Sequence, residues 1–356
     1  MLSGICLRGS TQIITIVATF SLALPIPAHA IEFGAVETVT YWLNDTEYPV
    51  IVTGYSVPSF ADWDSDGLED LVVGGGSGTY TPKVRVYLNE GTAQAPKFAA
   101  PFCAQSGGAD LTATGSGCMG LFPRVCYWDG DGLKDLVVGN ALGGITFFRN
   151  TGSDTNPTFD GGTLLQVGAS GAKIDIDIGS RACIDILDWN NDGRKDLVAG
   201  DLNSNISVFL NVGTDTSPDF LAETFVMDGG STMVVPGYRA SPAVADLNGD
   251  GAKDILAGNT DGQLLFYANV GTDASPLFDG YSAVLSDGLA IDLTASRSRP
   301  GICDWTGDGL WDVLVGASDG YVYLYQGIPE PCSAALLGIG CWVVLRKRRK
   351  PAVGAS

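Results

Sequence analysis

Three features of the sequence predict an all-β chain, a five-bladed β-propeller of four-stranded blades closed by an N-terminal strand. First, a short acidic loop occurs five times, starting at Asp62, Tyr127, Asp188, Asp246 and Asp304. Second, every copy runs directly into an apolar strand segment that ends in Gly, as in Asp70-Leu-Val-Val-Gly74 and Asp254-Ile-Leu-Ala-Gly258. Third, the copies stand 65, 61, 58 and 58 residues apart, which leaves room for four short strands and their turns.

The elements of one unit follow in order. An apolar strand enters the acidic loop, as in Ser241–Ala245, and a second leaves it, as in Leu71–Val73. A third alternates apolar and polar residues, as in Ile145–Phe148 and Ile206–Leu210. A turn element then recurs in phase, from Asn89 to Phe98, Asn150 to Phe159, Asn211 to Phe220 and Asn269 to Phe278. Its Gly and Pro mark the turn, and the Phe opens the fourth strand. Outside the two ends no stretch carries a helical period.

The closing strand is read from spacing. Phe98 and Phe159 each precede the next acidic loop by 29 residues, and Phe220 and Phe278 by 26. Phe33 also precedes Asp62 by 29. The fifth unit reaches Tyr321–Tyr325 and stops at Gly327, one strand short. The residues around Phe33 are therefore expected to supply the missing fourth strand, which leaves no open sheet edge.

The ends are organised differently. Residues 1–30 hold Arg8, an apolar run from Ile13 to Leu24 and Ala28-His-Ala30, the layout of a cleaved secretory signal peptide. Residues 31–327 form the repeat domain, and residues 328–356 a tail. In the tail, Pro329-Glu-Pro331 precedes an apolar stretch, Ala334–Leu345, and a basic run, Arg346–Lys350. That three-part order resembles the PEP-CTERM sorting signal of Gram-negative bacteria, which implies export through the inner membrane to the cell surface or beyond. It also implies an exosortase-type processing enzyme as a partner. A plain C-terminal membrane anchor stays open, and the chain would meet the membrane only through this segment.

Charge and composition exclude several functions. All 40 acidic residues lie between Ile31 and Pro331, which leaves 14 basic residues against them and a net charge of −26. Such a surface repels nucleic acid and anionic lipid. The only histidine, His29, lies in the signal peptide, so the mature chain has no His-based triad or zinc motif. Cys103 and Cys118 lie in one Gly-rich connection, where an exported protein permits a disulfide. Cys126, Cys183 and Cys303 sit in strand context and read as small buried hydrophobes.

The acidic loop has the spacing of a calcium site. Positions 1, 3, 5 and 9 carry side-chain oxygens, position 6 is Gly, and position 7 offers a carbonyl. In the first loop these are Asp62, Asp64, Asp66, the Leu68 carbonyl and Asp70. The third has Asp188, Asn190, Asp192, the Arg194 carbonyl and Asp196. The fourth has Asp246, Asn248, Asp250, the Ala252 carbonyl and Asp254. The fifth has Asp304, Thr306, Asp308, the Leu310 carbonyl and Asp312, with Thr306 the weaker donor. The second keeps Asp129, Asp131 and Asp135 but has Tyr127 at position 1, so binding there is expected to be weak or absent. Oxygen donors without nitrogen or sulfur favour calcium over zinc, and three to five ions are expected. The pattern Asp-x-Asp-x-Asp-Gly-x-x-Asp-Leu-Val-Val-Gly resembles the FG-GAP/VCBS repeat over residues 33–327. That family forms β-propellers, the integrin α-subunit head among them, and binds calcium in such loops. Seven blades are usual there, five are read here.

Two further sets stand out. Arg181, Arg239 and Arg297 each lie seven residues before an acidic loop, with Tyr55 at the equivalent place and Gly120 in the remaining copy. They should lie on the face opposite the loops, where they either bind an anionic ligand such as an acidic sugar or pair with local Asp. Trp63, Trp128, Trp189 and Trp305 share position 2 of the loop, a place for inter-blade packing or for stacking a sugar. The expected function is an exported calcium-binding module for adhesion to glycan or extracellular matrix. A five-bladed carbohydrate-active hydrolase and a purely structural surface protein are the alternatives.

Overall fold

Each acidic loop is the turn of a hairpin, because a Gly at position 6 takes a left-handed backbone that reverses the chain; φ is 88° at Gly67 and 91° at Gly251. The computed structural model describes residues 31–76, 81–112, 120–169 and 171–329. The signal-peptide segment, the tail from residue 330 onward and Cys118 lie outside these residues.

The described residues form five four-stranded antiparallel sheets. Sheet 1 consists of Val57–Ala61, Asp70–Gly75, Lys83–Tyr87 and Phe102–Cys103. Sheet 2 consists of Phe122–Cys126, Asp135–Gly139, Ile145–Phe148 and Thr163–Leu164. Sheet 3 consists of Cys183–Leu187, Asp196–Gly200, Ile206–Phe209 and Thr224–Phe225. Sheet 4 consists of Ser241–Ala245, Asp254–Gly258, Leu264–Tyr267 and Ser282–Ala283. Sheet 5 combines Arg299–Cys303, Asp312–Gly316 and Val322–Tyr325 with Glu37–Thr38 from the other end of the chain. Glu37 pairs with Leu324 and Thr38 with Tyr323. Among the described residues no helix is long and apolar enough to cross a membrane.

The second strand of each sheet is buried along its length, because other sheets cover both its faces. It therefore reads as a continuous apolar run without alternation, a pattern shared with strands covered on both sides in parallel sheets. Sheet-to-sheet contact is close enough to require glycine. A side chain on Gly74, Gly139, Gly200 or Gly258 would meet the carbonyl of Leu121, Ala182, Ala240 or Ser298, each just before the first strand of the following sheet. On Gly316 of sheet 5 it would meet the Ser56 carbonyl beside sheet 1, 2.3 Å away. The first strands likewise touch in cyclic order, that of sheet 5 lying against that of sheet 1. No single sheet closes on itself.

The Phe of the turn element opens its segment slightly before the fourth strand, which begins four residues later in every sheet. Phe159 and Phe220 bridge in parallel to Ser106 and Val167, in small hairpins that follow the fourth strands of the sheets before. Phe33 does the same with Ser286 and also bridges Gly327. These hairpins, such as Thr40–Leu43 with Thr46–Pro49 and Gln105–Ser106 with Ala109–Asp110, are additional to the four strands expected for each unit.

Packing between sheets decides the role of the Trp set. Trp63, Trp128, Trp189 and Trp305 are buried. Trp63 packs on Phe159 at 5.7 Å, Trp128 on Phe220 at 6.0 Å and Trp305 on Phe98 at 5.4 Å between ring centres. Trp189 shares a cluster with Phe278, and Leu247 packs into the cluster that holds Phe33. Each loop thus presses its position 2 against the Phe of the next unit, and none of these Trp is a sugar platform.

Candidate functional site

The carboxylate at position 9 organises every loop. Asp70, Asp135, Asp196, Asp254 and Asp312 are fully buried. One oxygen of each accepts the backbone N–H of position 2, from Trp63, Trp128, Trp189, Leu247 and Trp305, at 2.6–3.1 Å. The other accepts the N–H of Asn89, Asn150, Asn211, Asn269 and Gly327 at 2.6–2.8 Å. The Asp thereby ties the hairpin to the end of the third strand. Burial pushes its pKa up in all five copies, to about 7 for Asp70 and about 6 for Asp254. Charge on these groups is costly until a cation offsets it.

The rest of the loop is folded by its own carboxylates. The position-5 Asp accepts the N–H of position 7, from Leu68, Leu133, Arg194, Ala252 and Leu310, at 2.8–3.1 Å. Asp62, Asp188, Asp246 and Asp304 accept the N–H of the position-6 Gly at 2.8–3.1 Å. These bonds leave oxygens pointing at one spot. Carboxylate oxygens of Asp62, Asp64 and Asp70 lie within 4.8 Å of one another, as do those of Asp129, Asp131 and Asp135. Asp62 Oδ1, Asp64 Oδ1 and Thr306 Oγ1 are buried and accept no hydrogen bond; Asp62 Oδ1 faces the Lys134 ammonium at 3.7 Å, whereas Asp64 Oδ1 and Thr306 Oγ1 have no partner. Burial, with the charges of Asp66 and Asp62 behind it, raises the Asp64 pKa. Unpartnered buried oxygens among mutually repelling carboxylates fit a hard divalent cation. Asn190 and Asn248 instead donate to Asp192 and Asp250 at 3.0 and 2.9 Å while their Oδ1 atoms accept Asp192 and Asp250 N–H.

The second loop differs in a way its sequence did not announce. The Arg149 guanidinium lies 2.8 Å from Asp129 and 3.3 Å from Asp131. The equivalent residues before Asn89, Asn211, Asn269 and Gly327 are Leu88, Leu210, Ala268 and Gln326. The loop that lacks a position-1 carboxylate is thus the one with a cation of its own at this place. In the third loop Arg194 contacts Asp192 at 2.5 Å from position 7 and donates to the Asn211 carbonyl.

Other contacts link neighbouring loops. Lys134, Lys195 and Lys253, at position 8, donate their backbone N–H to Asp154, Asp215 and Asp273 at 2.6–2.9 Å. Lys134 also reaches the Asp62 carbonyl and Ser65 of the preceding loop, Lys253 reaches Asn191, and Trp311 Nε1 donates to the Asp246 carbonyl. Position 8 is Glu69 in the first copy, where Ala93 replaces the Asp, so the pair is present or absent as a unit.

At the opposite end of the first strands, the positions seven, five and three residues before each loop make three layers where the five sheets meet. The outermost holds Tyr55, Gly120, Arg181, Arg239 and Arg297. Arg297 stacks on the Tyr55 ring at 4.4 Å, and Arg181 feels the charges of Arg239 and Arg297. The middle layer is Val57, Phe122, Cys183, Ser241 and Arg299, of which Val57, Phe122 and Cys183 form one cluster. The inner layer is Ser59, Arg124, Asp185, Ala243 and Gly301, where Arg124 pairs with Asp185 at 3.3 Å. For Arg181 and Arg297 no salt bridge to a local Asp is present among the described residues. Arg299 belongs to this group and was missed, because its loop spacing places it one layer deeper. Cys126 is free and burial pushes its thiol up to about 12; Cys183 and Cys303 are also free and raised by burial.

Comparison with known proteins agrees with this repeat geometry. The family model for the FG-GAP-like repeat matches residues 188–257, which contain the third and fourth loops. No curated protein matches the chain in sequence. Among solved structures, the catalytic domain of a Coprinopsis cinerea GH62 α-L-arabinofuranosidase is similar at 13% identity and a TM-score of 0.51, over 77% of this chain and 91% of that one. An Agrocybe aegerita lectin, described as recognising non-reducing terminal N-acetylglucosamine, aligns at 20% identity and a TM-score of 0.39, over 76% of this chain and 65% of that one. The Photorhabdus luminescens Tc holotoxin pore aligns at 16% identity and a TM-score of 0.40 over 82% of this chain, which spans only 12% of that one. At these identities the first likeness establishes the propeller-like fold alone.

Proposed function

We propose that the chain is a five-bladed β-propeller of FG-GAP/VCBS type, stiffened by calcium in its acidic loops, that is exported and binds a carbohydrate or matrix ligand at the cell surface. Cyclic contact of five sheets, with Glu37–Thr38 completing the fifth, supports the blade count. The unpartnered oxygens of Asp64 and Thr306 and the converging carboxylates of the first loop support the metal. Calcium would be held by the loop oxygens and would offset their mutual repulsion, locking each hairpin. The signal peptide and the PEP-CTERM-like tail carry the proposal of export and exosortase processing.

Binding is favoured over hydrolysis by one observation. The three axial layers contain a single carboxylate, Asp185, and it is neutralised by Arg124 and by the Val244 N–H. Glycosidic bond cleavage ordinarily needs two carboxylates that face each other across the bond. The likeness to a GH62 arabinofuranosidase then reflects shared scaffold and a carbohydrate-related role without shared chemistry. A glycan-array screen in calcium and in EDTA tests this. A calcium-dependent signal on a defined glycan class is expected; hydrolysis of an arabinoxylan or related substrate by the purified protein would replace binding with catalysis.

A further inference from the structure

We infer that the axial mouth opposite the acidic loops is an oxyanion site, built by Arg181, Arg239, Arg297 and Arg299 and walled by Tyr55 and Phe122. This goes beyond the carbohydrate proposal and does not depend on it.

The inference rests on burial without compensation. Arg299 is 1% exposed and Arg181 3%. Burying a guanidinium costs stability unless its donors and its charge are met. Arg299 donates from Nη1 to the Ser56 carbonyl at 3.2 Å, while its Nε and Nη2 have no hydrogen-bond partner. Arg181 Nε also has none. No salt bridge holds Arg181, Arg297 or Arg299 among the described residues. Segments 77–80 and 113–119, outside the described residues, contain no Asp or Glu.

The cations also repel one another. Burial first, and then the neighbouring guanidinium charges, lower the Arg181 pKa to about 10 and lower that of Arg299 as well. Aromatic faces offset part of this: Arg299 lies 5.0 Å from the Tyr55 ring and 5.9 Å from Phe122, and Arg181 lies 5.8 Å from Phe122. A π face lowers the cost of a cation but accepts no N–H in the guanidinium plane. Four of the basic residues of a strongly acidic chain are thus gathered at one axis. Tyr55, Arg239 and Arg297 are only half buried there, so the mouth is open to solvent. A planar or tetrahedral oxyanion meets forked guanidinium donors better than any halide does. The class is therefore carboxylate, sulfate or phosphate, free or carried on a sugar.

The test is calorimetric titration of the full calcium-loaded protein with sodium sulfate, sodium phosphate and sodium glucuronate, against sodium chloride at matched ionic strength. At least one oxyanion is expected to bind one per chain, and Arg181→Met and Arg299→Met to weaken it about tenfold or more, the loss of a charge-assisted hydrogen bond. Arg181→Met is also expected to raise the melting temperature in oxyanion-free buffer, since it removes an uncompensated buried charge. Arg297→Gln, at the half-exposed mouth, serves as the variant that leaves the fold intact and is expected to weaken binding as well. Preference for glucuronate identifies a carboxylated sugar, and preference for sulfate or phosphate an inorganic or esterified group. Heat indistinguishable from chloride, or an isotherm unchanged by Arg297→Gln, overturns the site. A silent glycan array beside a positive titration would remove the carbohydrate proposal and leave this one standing.

Discussion

The buried Asp at position 9 carries the most structural duty of any residue type in the chain. It serves two backbone donors from different strands, so removing its carboxylate leaves both unmet in a dry environment, at a cost of about 1–3 kcal/mol each. Its identity was legible from the loop spacing, but its role as a clamp was not, because the second donor lies 15 to 19 residues away on another strand. Arg149 was invisible for the same reason. It sits on the carboxylates of the second loop as a built-in cation. Arg149→Leu is expected to let metal-free protein bind one more calcium per chain than the parent, measured by calorimetry or terbium luminescence. Unchanged stoichiometry and affinity would show that Arg149 does not occupy the ion's place.

At the scale of the element, each unit is joined to the next by the position-2 side chain of the loop, Trp in four copies and Leu247 in the fourth, and the Phe of the turn. This coupling was readable in outline, since spacing alone placed Phe33 with the four internal Phe residues. Four of the small outer hairpins were not readable, because strands of two residues leave no periodic trace. Phe33 is 4% exposed, packs beside Leu256, Leu264 and Phe266, and bridges both Ser286 and Gly327. Phe33→Ala is expected to destabilise the chain by about 3–5 kcal/mol, as for a buried core Phe. Phe159→Ala, within the chain, is the control. Denaturant melts of the two variants check this: if Phe33→Ala costs under 1 kcal/mol while Phe159→Ala costs several, the terminal segment adds little to the fifth sheet.

For the whole molecule, the dominant electrostatic fact is a repeat domain with 39 acidic and 14 basic residues. Calcium acts on this at several loops together. At ten times its Kd one ion adds about 1.4 kcal/mol, so four would add roughly 5–6 kcal/mol. In a domain of this size that corresponds to a fall in Tm of about 8–10 °C on chelation. The expected outcome is a large drop in EDTA that calcium reverses and magnesium does not. A melt indifferent to EDTA would dismiss the ions. Glu37–Thr38 also has a mechanical consequence. Gly34 N–H donates to the Gln326 carbonyl at 2.8 Å, and Val39 N–H to the Val322 carbonyl at 2.9 Å. The two chain segments run antiparallel and leave this ladder at the same end, by Phe33 and Gly327. Tension applied through residues 31 and 328 therefore peels the bonds one after another, as a zipper opens, and does not shear them together. In an optical trap the first rupture should release residues 33–39 at low force, before any internal sheet yields.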